Sequence, residues 1–120
     1  MTSDPEAWLR EHGINEIECM VADLTAMPRG KILPRDRFIR SLTDKSLRMP
    51  GDVFYQTVTG EYPEPYPGDE TSPDMILYPD IETLRRVPWY DDPTAQVMCH
   101  VTWRDGSDVL TAPRGVLQRV

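Results

Sequence analysis

The chain has 120 residues, 39% hydrophobic and 28% charged, with a net charge of −7 and an isoelectric point near 4.7. That length holds one domain with one modest core, and the negative charge repels nucleic-acid phosphates and anionic membranes, so neither is expected as a partner. No apolar run approaches the ~18 residues of a membrane span, and the acidic N-terminus (Asp4, Glu6, Glu11) lacks a signal-peptide core, so a cytoplasmic location is expected.

Ser3 or Asp4 is suited to cap a first helix, with Pro5 at its first position if Asp4 is the cap. Trp8 and Leu9 would face inward, His12 suits the helix end and Gly13 stops it. Residues 16–25 read as a strand: Ile17, Cys19 and Val21 share one face, while Met20, Ala22 and Leu24 continue the other. Met27, Pro28, Arg29 and Gly30 read as a hairpin tip, with Gly30 supplying a positive φ and residues 31–33 returning as a short strand. A second helix follows Pro34, with Phe38, Ile39 and Leu42 as its apolar stripe and Arg35, Arg37 and Arg40 outside.

Residues 47–49 read as a brief extended stretch and residues 53–59 as a strand rich in aromatic and β-branched side chains. Residues 60–73 hold four prolines, two glycines, two tyrosines and four acids. That composition excludes a helix or a central strand, and connections of such length are usually functional or disordered. Residues 75–78 form a short strand and residues 79–93 read as irregular. The clearest strand is 95–103, where Val97, Cys99, Val101 and Trp103 alternate with polar neighbours. Asp105-Gly106 is a turn signal after which residues 109–111 would pair back. A helix starts after Pro113, and the reading expects the natural protein to continue beyond Val120.

The expected architecture is α+β: a mixed sheet of about five strands with one main helix across it and short terminal helices. Cys19 and Cys99 read as buried thiols in neighbouring strands. Cys99 and His100 point to opposite faces of their strand and would not easily share a metal ion. The sequence has no phosphate-binding glycine loop, nucleophile elbow or metal-ligand spacing.

Several motifs, in order, resemble one family. They are Asp23-Leu24-Thr25 with Arg29-Gly30-Lys31 and Pro34; Gly60 and an acidic loop before residues 73–77 and Pro79-Asp80; Thr83-Leu84-Arg85 and Pro88-Trp89; then Val97-Met98-Cys99, Asp105-Gly106 and Pro113-Arg114. The series resembles the N-terminal β-grasp domain of glutamine synthetases, closest to the branch of γ-glutamyl-amine ligases that includes γ-glutamylputrescine synthetase. The resemblance implies residues 1–14 as an N-terminal helix, 15–112 as the β-grasp domain, and 113–120 as the start of a helix leading to a C-terminal catalytic domain.

The resemblance further implies an ATP-dependent ligase that uses magnesium or manganese to join glutamate to ammonia or an amine, with those cofactors held by the C-terminal domain. The fragment itself would hold no cofactor, no metal and no catalytic residue. Its partners would be that catalytic domain and the neighbouring subunits of a ring homo-oligomer. It would lend the neighbour's active site an amine-side loop containing Gln56, Thr57, Thr59, Gly60, Tyr62 and Tyr66, with Trp89 and Tyr90 at an interface. Members of the family commonly carry an Asp three residues before the loop glycine, where it binds and deprotonates ammonium; here that position is Thr57. A shifted alignment would bring in Asp52 or Glu61 instead. The alternative reading is a stand-alone β-grasp module that binds a protein partner.

Overall fold

The computed structural model describes residues 4–68 and 71–120. Asp4 caps the first helix, α1 (Pro5–Glu11), its Oδ1 accepting from the Ala7 amide at 3.1 Å; the Ser3 alternative lies outside the described residues. The helix ends as Gly13 was expected to end it. Gly13 turns to φ 63°, its N–H reaches the Arg10 carbonyl, and the Ile14 N–H reaches that of Leu9. Leu9 is fully buried, whereas Trp8 is half-buried and stacks on His12 with ring centroids 4.4 Å apart.

Strands β1 (Glu16–Ala22) and β2 (Pro28–Pro34) form an antiparallel hairpin in which Cys19 faces Lys31 and Met20 faces Gly30. The expected tip at Arg29-Gly30 is corrected: the turn occupies residues 23–27, and both residues lie within β2. The cause is Asp23, whose side chain builds the turn by taking the amides of Thr25 and Met27, both at 2.9 Å. The positive φ falls on Ala26, at 63°. Gly30 answers a different need, because a Cβ there would stand 2.2 Å from the Cys19 carbonyl oxygen.

Helix α2 (Arg35–Asp44) lays Phe38 and Ser41 into the interior, with Ile39 and Leu42 at the margin. Strand β3 (Arg48–Pro50) pairs with β4 (Asp74–Pro79). The strand expected over 53–59 does not form. A 3-10 turn runs over Gly51–Tyr55 instead, and Val53 and Phe54 are buried in succession, which the alternation of a strand facing water on one side would not permit. Trp103 covers this turn so closely that a Cβ on Gly51 would meet its ring at 2.3 Å.

The segment read as irregular over 79–93 contains a 3-10 turn, Ile81–Thr83, and a sixth strand, β5 (Arg85–Val87). Three residues are too few to show alternation; β5 is held by pairing with β6 and by Arg85 donating to the Gln96 side chain at 2.9 Å. Strand β6 (Thr94–Trp103) is the spine of the sheet. It pairs in parallel with β1, and antiparallel with β5 along its first half and β4 along its second. The order is β2-β1-β6-β4-β3, six strands with β5. The expected return pairing of 109–111 reduces to a single bridge, Thr102 to Asp108, after a turn with Gly106 at φ 87°. Helix α3 (Pro113–Arg119) follows and is tethered by Arg114, which donates to Asp80 Oδ2 at 2.7 Å and His100 Nδ1 at 3.3 Å.

The core lies between the sheet and the helices, built from Leu9, Ile17, Cys19, Phe38, Met75, Leu77 and Val97 among others. The parallel pairing of first and last long strands, crossed by α2, is the β-grasp arrangement. Among the described residues no helix is long and apolar enough to cross a membrane.

Candidate functional site

The site grows from the β1–β2 turn. Asp23 is buried, and its carboxylate is saturated: Oδ1 takes the Thr25 and Met27 amides and the Thr25 hydroxyl at 2.7 Å, and Oδ2 takes Arg29 Nε at 3.0 Å. Burial opposes its charge, but these hydrogen bonds outweigh burial and hold the carboxyl below its usual range. The second arm of Arg29, Nη2, donates to the Thr57 carbonyl at 3.1 Å. One guanidinium thus joins the hairpin to the turn that begins at Thr57.

Thr57 opens a tight turn. Its N–H donates to the Glu61 carbonyl at 2.8 Å, and the Gly60 N–H donates back to the Thr57 carbonyl at 2.9 Å. Gly60 sits at φ 84°, a conformation that favours glycine. The Thr57 hydroxyl pairs with that of Thr59 at 3.0 Å and accepts the Glu61 amide at 3.3 Å, while Gln56 Nε2 donates to the Gly60 carbonyl. Gln56, Thr57, Thr59 and Gly60 are therefore brought into one self-bonded turn.

Tyr62 and Tyr66 stand beside that turn, with ring centroids 5.6 Å apart and nearly perpendicular. Tyr66 also meets Tyr55 edge-on at 6.1 Å. Beneath them lies Asp52, whose Oδ2 accepts the hydroxyls of Tyr66 at 2.9 Å and Ser72 at 2.8 Å. Burial first, then Asp52, pushes the Tyr66 hydroxyl up to about 12; Tyr62, next to both Asp52 and Gln56, is raised in the same order of causes. Gly68 is crowded here: a Cβ would lie 2.6 Å from the Tyr55 ring and 2.8 Å from the Tyr66 oxygen, so a side chain would displace those rings. Of the loop acids, Glu61 and Glu64 are exposed; Asp69 and Glu70 lie outside the described residues.

Trp89 and Tyr90 are set apart from this cluster. Trp89 is 62% exposed, and Tyr90 donates its hydroxyl to Glu18 on β1. Between Tyr90 and Arg29 runs a shallow surface groove floored by Met20, Gly30 and Ile32. Sequence reasoning undervalued Asp23 and Arg29 and missed Tyr55, Gly68 and Ser72. Asp23 followed by a hydroxyl at the second position was the available signal, because that spacing builds an Asp-capped turn. Nothing in the local sequence marks Tyr55, Gly68 or Ser72, which join the cluster only through the folding back of the loop.

A β-grasp domain carrying an aromatic loop beside a hairpin is the class that the geometry defines, and the comparisons narrow it. No protein-family profile matches the chain. It is 26% identical over 115 residues to the glutamate–isopropylamine ligase of a Pseudomonas species, covering 93% of this chain and 25% of that protein. It is 46% identical over 46 residues to the gamma-glutamylethanolamide synthetase GlnA4 of Streptomyces coelicolor, covering 38% of this chain and 10% of that protein. Among solved structures, an ADP complex of GmaS superposes with a TM-score of 0.74 at 22% identity, over 98% of this chain and 24% of that one. A glutamine synthase homologue superposes at 0.72 and 20% identity, over 88% of this chain and 25% of that one. The chain thus spans about a quarter of the length of the structures and of the Pseudomonas relative. It resembles the glutamine synthetase family, on the side of the γ-glutamyl-amine ligases, and its fold is that of the family's N-terminal β-grasp domain.

Proposed function

We propose that the chain is the amine-side domain of a glutamine synthetase-like ligase that joins the γ-carboxyl of glutamate to an organic amine in preference to ammonia. The observation that carries this reading is Thr57. Ammonia at neutral pH is almost all ammonium, so an enzyme that uses it needs a group that attracts the cation and accepts a proton. The Thr57 hydroxyl is neutral and already engaged with Thr59 and Glu61. A larger amine offers other handles, namely a carbon chain to bury on tyrosine faces and an ammonium group that those faces attract. The names of the two sequence relatives, which specify isopropylamine and ethanolamide, support the same direction.

In this reading residues 1–14 are the N-terminal helix, 15–112 the β-grasp domain and 113–120 the start of the connection to a catalytic domain. The segment from Gln56 to Tyr66 reaches the active site of a neighbouring subunit in a ring, and Trp89 and Tyr90 lie at an interface. Among the described residues no three His, Cys, Asp or Glu side chains are grouped to hold a metal ion. In this reading ATP and magnesium or manganese are held by the catalytic domain, and this domain alone is inactive. The test is ligation by the whole protein from glutamate, ATP and magnesium across a panel of ammonia, isopropylamine, ethanolamine and putrescine. Detection of a γ-glutamyl amide by mass spectrometry supports the reading; no product from any amine refutes it.

A further inference from the structure

Asp52 is a half-buried carboxylate set among tyrosines, and among the described residues no Lys, Arg or His stands within ion-pair distance of it. Its neighbours are hydroxyls and ring edges: Tyr66 and Ser72 donate to it, and the perpendicular Tyr62–Tyr66 pair flanks it. Both phenols are protonated at neutral pH, as an ordinary tyrosine is, and burial and then the nearby carboxylate raise them further. Among the described residues the group thus holds a carboxylate, Asp52, that no cation pairs with directly. Asp52 sits on the Gly51–Tyr55 turn, with the Trp103 ring against Gly51, and the Tyr55 and Tyr66 rings crowd the backbone at Gly68.

We propose that Asp52, with the faces of Tyr62 and Tyr66, is the site that holds the ammonium group of the organic amine, supplying the charge that Thr57 lacks. An alkylammonium brings N–H donors for the carboxylate and hydroxyl oxygens and an apolar stem for the rings. Charge-assisted hydrogen bonds of this kind are about twice as strong as neutral ones. Ammonium itself has no stem, so the rings favour the substituted amine. Tyr62 lies beside both Asp52 and Gln56, which links the site to the turn carrying Thr57. This inference rests on the amine-ligase reading for the identity of the ligand, but binding and turnover test the two separately.

The experiment is a titration of the whole protein with isopropylammonium and ethanolammonium at fixed ionic strength, followed by calorimetry. The wild type, Asp52→Asn and the double variant Tyr62→Ala with Tyr66→Phe are compared, with circular dichroism as the check of folding. Saturable binding that weakens about tenfold or more in Asp52→Asn, as expected on losing a charge-assisted contact, is the expected result. No saturable binding by the wild type, or equal binding by Asp52→Asn, overturns the proposal. If Asp52→Asn does not fold, the double variant decides, and undiminished affinity there overturns it. Absence of turnover with binding intact refutes the ligase reading and leaves Asp52 as an amine site.

Discussion

Arg29 reaches across the hairpin and donates to the main-chain carbonyl of Thr57 at 3.1 Å while its other nitrogen holds the buried Asp23 at 3.0 Å. The turn that presents Gln56 to Gly60 is thereby registered to the sheet by one side chain. Asp23→Ala should cost about 2–4 kcal/mol, because it removes four hydrogen bonds and leaves a largely buried guanidinium without its partner. Chemical denaturation measures this directly.

The same carboxyl makes stability depend on pH. Its folded pKa is lowered, so its contribution is fully present above the unfolded value of about 4 and is lost as pH falls through the folded value. Between neutrality and pH 5 its contribution should stay constant, and below about pH 4 the wild type should lose stability faster than Asp23→Asn. Equal slopes for the two proteins in acid would remove Asp23 from this role.

Gly30→Ala is expected to destabilise the hairpin by about 1–3 kcal/mol, the cost of overpacking a site that cannot easily yield. The new methyl would sit 2.2 Å from the Cys19 carbonyl oxygen, which belongs to a paired strand. Gly106→Ala offers a contrast: space is open there, and only its φ of 87° resists the change. Thermal melts of the two variants should separate steric crowding from backbone strain.

Cys19 is fully buried, and its thiol is pushed up by the neighbouring Cys99 thiol and by burial. A thiolate is the reactive form, so neither buried cysteine should react with a thiol reagent in the folded protein at pH 8. Both should react once denaturant is added. Rapid labelling under native conditions would show that strands β1 and β6 open more readily than their burial implies.

Much of the fold was legible because long periodic segments announce themselves. The alternation from Val97 to Trp103 marked β6, the Phe38 stripe marked α2, and Gly13 marked the end of α1. Where reading failed, tertiary contacts had overridden local pattern. The stretch from Val53 looks like a strand by residue type, but Trp103, fifty positions later, packs it into a turn. Strand β5 is three residues long and exists through its pairing with β6. The hairpin tip was misplaced by weighing Gly30 as a turn former when its absent side chain serves a close strand approach. At the candidate site, Gln56 to Gly60 were singled out through family resemblance alone, whereas the grouping of Asp52 with Tyr66 and Ser72 depends on the loop folding back, which no local spacing reveals.

In the proposed function this domain selects an organic amine over ammonia because residue 57 is neutral and the tyrosine faces favour an amine with an apolar stem. The most direct measurement is a competition in one vessel: the whole protein with glutamate, ATP and magnesium, and equal concentrations of ammonium and isopropylamine, with both products quantified over time. The wild type is expected to give predominantly the γ-glutamyl isopropylamide, and Thr57→Asp a product ratio shifted toward glutamine. Glutamine as the main product of the wild type, with the ratio unmoved in Thr57→Asp, would contradict this reading.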